Sequence, residues 1–121
     1  MLFRSQDVII SSGKNIYPID IERELSKLSY LKESAIIGIK DKFFGEIVFA
    51  VCVLKKKINS AEEKIRKYLS KRIGGFQQPL GYAFIKKLPK NNLGKIQKNI
   101  LRKIYNKKKI DLTRNLRRIL N

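Results

Sequence analysis

The chain has 121 residues, 43% of them hydrophobic, which suits one modest core and excludes a multi-domain enzyme within these residues. Its 28 Lys and Arg against 10 Asp and Glu give a formal charge of +18, a balance that repels itself and attracts polyanions. With no His and one Cys, imidazole catalysis, internal disulfides and His or multi-Cys metal sites are excluded from the chain.

Asp7 to Ile10 reads as a short strand, followed by the turn cluster Ser11-Ser12-Gly13-Lys14-Asn15, in which Gly13 can take positive φ: a small hairpin or an exposed loop. Pro18 then opens a helix, with Asp20, Glu22 and Glu24 favouring its positive end and Ile21, Leu25 and Leu28 on one face. Ser34 to Ile39 and Ile47 to Leu54, separated by the turn-like Asp41 to Gly45, are expected to be two central strands. The second is apolar at every position, as in a strand covered on both faces. It contains Cys52, for which a reduced, cytoplasmic setting fits best.

Ser60-Ala61-Glu62-Glu63 spells a capping box, predicting a helix with Ile65, Leu69 and Ile73 on its buried face and Gly74-Gly75 at its end. Gly81 to Ile85 is a third strand candidate. A polar loop from Pro89 to Gly94 leads to a helix in which Ile96, Ile100, Leu101 and Ile104 align. The order implies an α+β fold: a small three-stranded sheet packed with helices, preceded by a short N-terminal hairpin. Residues 106–121 read as a basic tail.

The charge is concentrated late. Residues 86–121 carry 13 basic and one acidic side chain, against 15 and 9 before them. In the tail, Leu112, Leu116 and Ile119 share a stripe and Arg114, Arg117 and Arg118 lie elsewhere, as in an amphipathic helix or a disordered basic end. No window approaches the roughly 20 apolar residues of a membrane span, so a soluble chain with at most peripheral membrane contact through the tail is expected.

Gly94 permits tight backbone geometry and leaves Lys95 projecting just before a helix, where an ammonium could meet phosphate or carboxylate oxygens. A solvated lysine at a helix start explains the same pattern. The Ser11 to Asn15 segment could pass close to a ligand, or be an ordinary turn; it lacks the glycine spacing of a nucleoside-triphosphate phosphate loop. The carboxylates Glu22/Glu24 and Glu62/Glu63 are explained by helix first turns. Tyr68, Phe76, Tyr82, Phe84 and Tyr105 are not interleaved with basic residues as a single-strand-binding surface requires, so the charge supports only non-specific nucleic-acid affinity.

Read in order, FRSQDVIISSGKNIYPIDIERELSKL, ESAIIGIKDKFFGEIVFAVCVL and FIKKLPKNNLGKIQKNILRKI resemble, across residues 3–105, the C-terminal domain of the acyl- and aryl-CoA ligases of the adenylate-forming superfamily, which implies a domain with those bounds. The resemblance implies a mobile lid that closes over a large N-terminal adenylation domain in two orientations. One would make an acyl-adenylate from ATP and a carboxylic acid; the other would make the thioester with CoA.

By resemblance Lys95 is the adenylation lysine, matching Pro-x-x-x-x-Gly-Lys as Pro89, Gly94 and Lys95, and Arg4 contacts the nucleotide. Gln6 and Asp7 form the hinge, with Gln6 standing where the family has Asp or Lys and Phe3 where it has Gly. Ser11, Ser12 and Gly13 line the pantetheine channel, with Lys14 near the CoA phosphates. Asn15-Ile16-Tyr17-Pro18 fits the CoA ligases better than the peptide-synthetase version, favouring CoA over a carrier-protein thiol.

The implied partners are the N-terminal domain, ATP, CoA and the acid, with Mg2+ bound outside this chain and no metal site within it. The phosphate loop and acyl pocket belong to that N-terminal domain, so this chain alone is expected to be inactive. The alternative is a small basic binding module for nucleic acid or an acidic protein that keeps only the fold; the reading frame upstream of Met1 discriminates the two.

Overall fold

The computed structural model describes residues 7–108. Arg4, Gln6 and the tail from Lys109 onward, to which roles were assigned from sequence, lie outside the described residues. Strands β1 (Ile9–Ser11) and β2 (Lys14–Ile16) form a hairpin that leads into helix α1 (Pro18–Leu25). The long strands β3 (Leu31–Asp41) and β4 (Gly45–Leu54) follow, then helix α2 (Ala61–Ser70), a 3-10 turn at Gly75–Gln77 and strand β5 (Gly81–Phe84). Residues 98–108 form helix α3. The fold is α+β, as expected.

β4 is the axis of the sheet. On one side it pairs antiparallel with β3 from Leu31↔Leu54 to Asp41↔Gly45. On the other it meets β1 at Ser11↔Gly45 and pairs parallel with β5 from Phe49↔Gly81 to Cys52↔Phe84. The N-terminal hairpin is thereby an extension of the sheet, giving five strands rather than three plus a separate hairpin.

Because side chains alternate along a strand, the two apolar runs supply two cores. Ile36, Val48, Ala50 and Cys52 face Ile21 and Leu25 of α1 and Ile65 and Leu69 of α2. Ala35, Ile37, Ile39, Val51 and Val53 face Leu88 and, from α3, Leu101 and Tyr105. The sheet is covered on both faces, as the unbroken apolar pattern of β4 predicts. Gly81 belongs to this packing: a Cβ there would lie 2.6 Å from the Phe49 ring, which packs at a tilt of 32° against Tyr105 with centroids 4.9 Å apart.

Several local expectations are corrected. Ser60 caps no amide of α2 with its side chain and sits at φ 56, so the capping-box spelling is unused. α2 ends at Ser70, and Gly74-Gly75 instead opens the 3-10 turn, where Gln77 Oε1 accepts the Gly74 amide at 2.8 Å. α1 ends at Leu25, leaving Leu28 beyond it but still against the first core. In α3 the buried face carries Leu101 and Tyr105, while Ile100 and Ile104 are exposed; Ile96 precedes the helix in a bridge to Lys90. The carboxylates of Glu22 and Glu24 lie past the first turn of α1, and Glu22 has tertiary partners described below.

Burial pushes the Cys52 thiol up from its ordinary 9.0 to about 12. The folded state thus keeps this proton while the unfolded state loses it, so the thiol's contribution to stability is complete below pH 9 and is lost as pH rises from 9 toward 12. A thiol-specific chromogenic reagent should leave native Cys52 unmodified and label it on unfolding. The alkaline fall in stability, measured by denaturant titration, should be shallower in Cys52→Ala than in the wild type over that range.

Candidate functional site

Lys95 projects from a tight hairpin whose construction is readable atom by atom. Lys90 and Ile96 pair antiparallel at its base. The Gly94 amide donates to Asn91 O at 3.0 Å, and the Asn91 amide donates to Lys95 O at 2.9 Å. Asn91 Oδ1 accepts the amides of Leu93 at 2.9 Å and Lys95 at 3.0 Å. Gly94 at φ 82 supplies the left-handed residue that closes such a turn. The result is an exposed, backbone-locked platform with Lys95 on one side and Leu93, 89% exposed, at its tip. No carboxylate among the described residues forms an ion pair with Lys95.

Ser12 and Gly13 form the two-residue turn of the β1–β2 hairpin, between Ser11 at the end of β1 and Lys14 at the start of β2. Ser12 at φ 51 and Gly13 at φ 77 give the doubly left-handed turn that suits strand twist. The turn is fastened to the β3–β4 turn: the Ser12 amide donates to Phe44 O at 2.7 Å, and the Ile10 amide donates to Glu46 Oε1 at 2.9 Å. Gly38 makes room for that carboxylate, since a Cβ there would lie 2.5 Å from Glu46 Oε2. Lys14 Nζ lies 4.8 Å from the Phe76 ring centroid, a cation–π contact with the 3-10 turn. Phe43, 92% exposed, stands on the adjoining β3–β4 turn.

The two candidate regions are not brought together. Lys90, at the base of the Lys95 hairpin, forms an ion pair with Glu33, which pairs with Val53 toward the Leu31/Leu54 end of the sheet. Ser11 and Ser12 adjoin Gly45 and Phe44 at the other end. Eight residue steps of β3 separate Glu33 from Asp41, roughly 26 Å at about 3.3 Å per step.

Asp7 is half-buried between two cations, Lys98 Nζ at 2.6 Å and Arg102 Nη2 at 3.2 Å, both on α3. Lys98 also meets Glu22 Oε2 at 2.8 Å, and the same oxygen accepts the Ile36 amide of β3 at 2.9 Å. Asn91, Glu46, Lys98 and Arg102 are site-building residues that sequence reasoning missed. The Asn91-Asn92-Leu93-Gly94 turn carried a local signal for Asn91; the others act through partners far along the chain. Among the described residues no three of Cys, Asp and Glu gather to hold a metal ion.

A model of the AMP-binding enzyme C-terminal domain matches residues 20–95. The chain belongs to this family. The domain is 37% identical over 99 residues to a CoA ligase of Rhodococcus jostii (strain RHA1), covering 82% of this chain and 19% of that protein. Among solved structures, apo MatB from Rhodopseudomonas palustris matches with a TM-score of 0.81 at 38% identity, covering 87% of this chain and 21% of that one. The o-succinylbenzoate CoA synthetase of Bacillus subtilis, solved with its acyl-adenylate intermediate, matches with a TM-score of 0.75 at 31% identity, covering 83% and 20%. The domain thus spans about a fifth of the length of these relatives.

Replacing Glu46 by Ala removes the side-chain acceptor that ties β1 to β4. Amide exchange at Ile10 should accelerate about tenfold, the equivalent of roughly 1.4 kcal/mol for one charge-assisted hydrogen bond. Exchange at Val51, within the β3–β4 pairing, should change little.

Proposed function

We propose that this domain is the mobile lid of an ATP-dependent acyl-CoA ligase, presenting Lys95 for adenylation and the Ser11–Lys14 turn for thioester formation. One observation carries the reading: the two turns sit toward opposite ends of the β3–β4 hairpin. A rigid domain with that separation cannot serve one reaction centre with both turns at once, so it must serve them in succession from two orientations. The scale of the relatives supports a large N-terminal domain as the partner, holding ATP and the carboxylic acid.

In the first orientation Lys95 meets the α-phosphate as the carboxylate attacks it. Negative charge accumulates on the transferring group, and an ammonium held by a backbone-locked hairpin stabilises it without reorganising at the moment of reaction. Pyrophosphate leaves and the acyl-adenylate remains. In the second orientation the small Ser11-Ser12-Gly13 turn lets an extended pantetheine pass the backbone, and the CoA thiolate displaces AMP. Arg4 contacts the nucleotide, and Gln6 and Asp7 stand at the point of rotation. Lys14, half-committed to Phe76, is within the same turn as the channel and remains available to a CoA phosphate.

The test uses the ligase that carries this domain. Lys95→Ala should slow single-turnover pyrophosphate release about 10²- to 10³-fold. Thioester formation from supplied acyl-adenylate and CoA should stay within about threefold of wild type. Unchanged pyrophosphate release in Lys95→Ala would overturn the assignment.

A further inference from the structure

We infer that Lys98 is a positioning residue for Lys95, holding the second leg of the catalytic hairpin through ion pairs to Asp7 and Glu22; this rests on the adenylation role proposed for Lys95. The hairpin base has two legs. The first is fixed by buried Leu88 and by the Lys90–Glu33 ion pair. The second runs from Ile96, bridged to Lys90, through Gln97, whose amide donates to Pro89 O at 2.8 Å, directly into Lys98. Lys98 is therefore the first side chain after Lys95 that anchors this leg by charge to the body of the domain.

Its surroundings are built for that task. The Lys98 side chain is only 14% exposed and its ammonium touches two carboxylates, Asp7 Oδ2 at 2.6 Å and Glu22 Oε2 at 2.8 Å. Glu22 itself accepts the Ile36 amide in the middle of β3, so the clamp references the leg to the sheet. Asp7 carries the clamp to the segment just before β1, and Arg102, one turn further along α3, meets its other oxygen at 3.2 Å. Local helix energetics do not explain a lysine here: Lys98 opens α3, where the helix dipole disfavours a cation. Two carboxylates from distant segments offset that cost. Shifts of about 1 Å at a reacting group can lower a rate about 10²-fold, so a leg of this kind has kinetic leverage.

In the ligase carrying this domain, Lys98→Met should slow single-turnover pyrophosphate release about 10- to 100-fold. Thioester formation from supplied acyl-adenylate should stay within about threefold, and the KM for ATP within about twofold. Lys98→Arg, able to reach both carboxylates, should recover adenylation to within about threefold. Glu22→Gln, which leaves Lys98 paired with Asp7 and can still accept the Ile36 amide through its side-chain carbonyl, so that the domain stays folded, should give an intermediate loss confined to adenylation. Equal losses in both half-reactions for Glu22→Gln and Lys98→Met would mean that the clamp only stabilises the domain, and would overturn the inference. So would wild-type adenylation in Lys98→Met alongside a slow Lys95→Ala. Should Lys95→Ala itself adenylate normally, the proposed function fails first, and the inference with it.

Discussion

The pairing of β3 with β4 is the constraint on which the domain is built. Eleven residues of one strand and ten of the other run side by side, and both faces of the pair are buried. Alternation then forces two cores, so α1 and α2 must pack on one face and α3 on the other. Once those helices are placed, β5 and the N-terminal hairpin divide the remaining edge of β4 between them. The candidate functional turns inherit their separation from this geometry, because each is fastened to a different end of the same rigid hairpin.

Carboxylates are scarce in a chain with 28 basic residues, and their placement is telling. Glu33 meets Lys90 at the base of the Lys95 hairpin, Asp7 and Glu22 hold Lys98, and Glu46 binds the backbone of β1. Each ties a loop or leg to the sheet. Helix α2 uses Glu62 similarly: it orients Arg66, whose guanidinium donates to the carbonyls of Pro79 and Leu80 and covers Tyr82 at the start of β5. The excess of cations therefore remains largely on the surface, where exposed pairs contribute little to stability and the net field attracts anions.

Elements governed by their own residues were legible beforehand. Val and Ile runs marked β3 and β4, Pro18 marked the start of α1, and the Ser11 to Asn15 cluster marked a hairpin or loop, which the structure resolves as a hairpin turning at Ser12-Gly13. Readings failed where a local rule had a tertiary competitor. The capping-box spelling at Ser60 to Glu63 is unused because Ser60 turns left-handed, with its carbonyl still accepting the Lys64 amide. In α3 the expected apolar stripe holds at Leu101 but not at Ile100 and Ile104, which are exposed, because Tyr105 joins Leu101 on the buried face and meets Phe49. Tyr105 counted as a possible stacking aromatic in sequence and is instead a core side chain.

The site divides in the same way. Lys95 and the Gly94 before it belong to one short segment, as do Ser11 to Lys14, and the order of three such segments along the chain was enough to indicate the family. By itself the sequence thus determined the α+β class, the principal strands and the candidate reactive lysine, because hydrophobic period, turn chemistry and motif order are properties of neighbouring residues. Only the tertiary structure decided that the two turns lie at opposite ends of the sheet and that Lys98 joins Asp7, 91 residues away, to Glu22. Distances of that kind arise from packing the whole chain, and ion-pair energies depend on distance and burial that no local pattern contains.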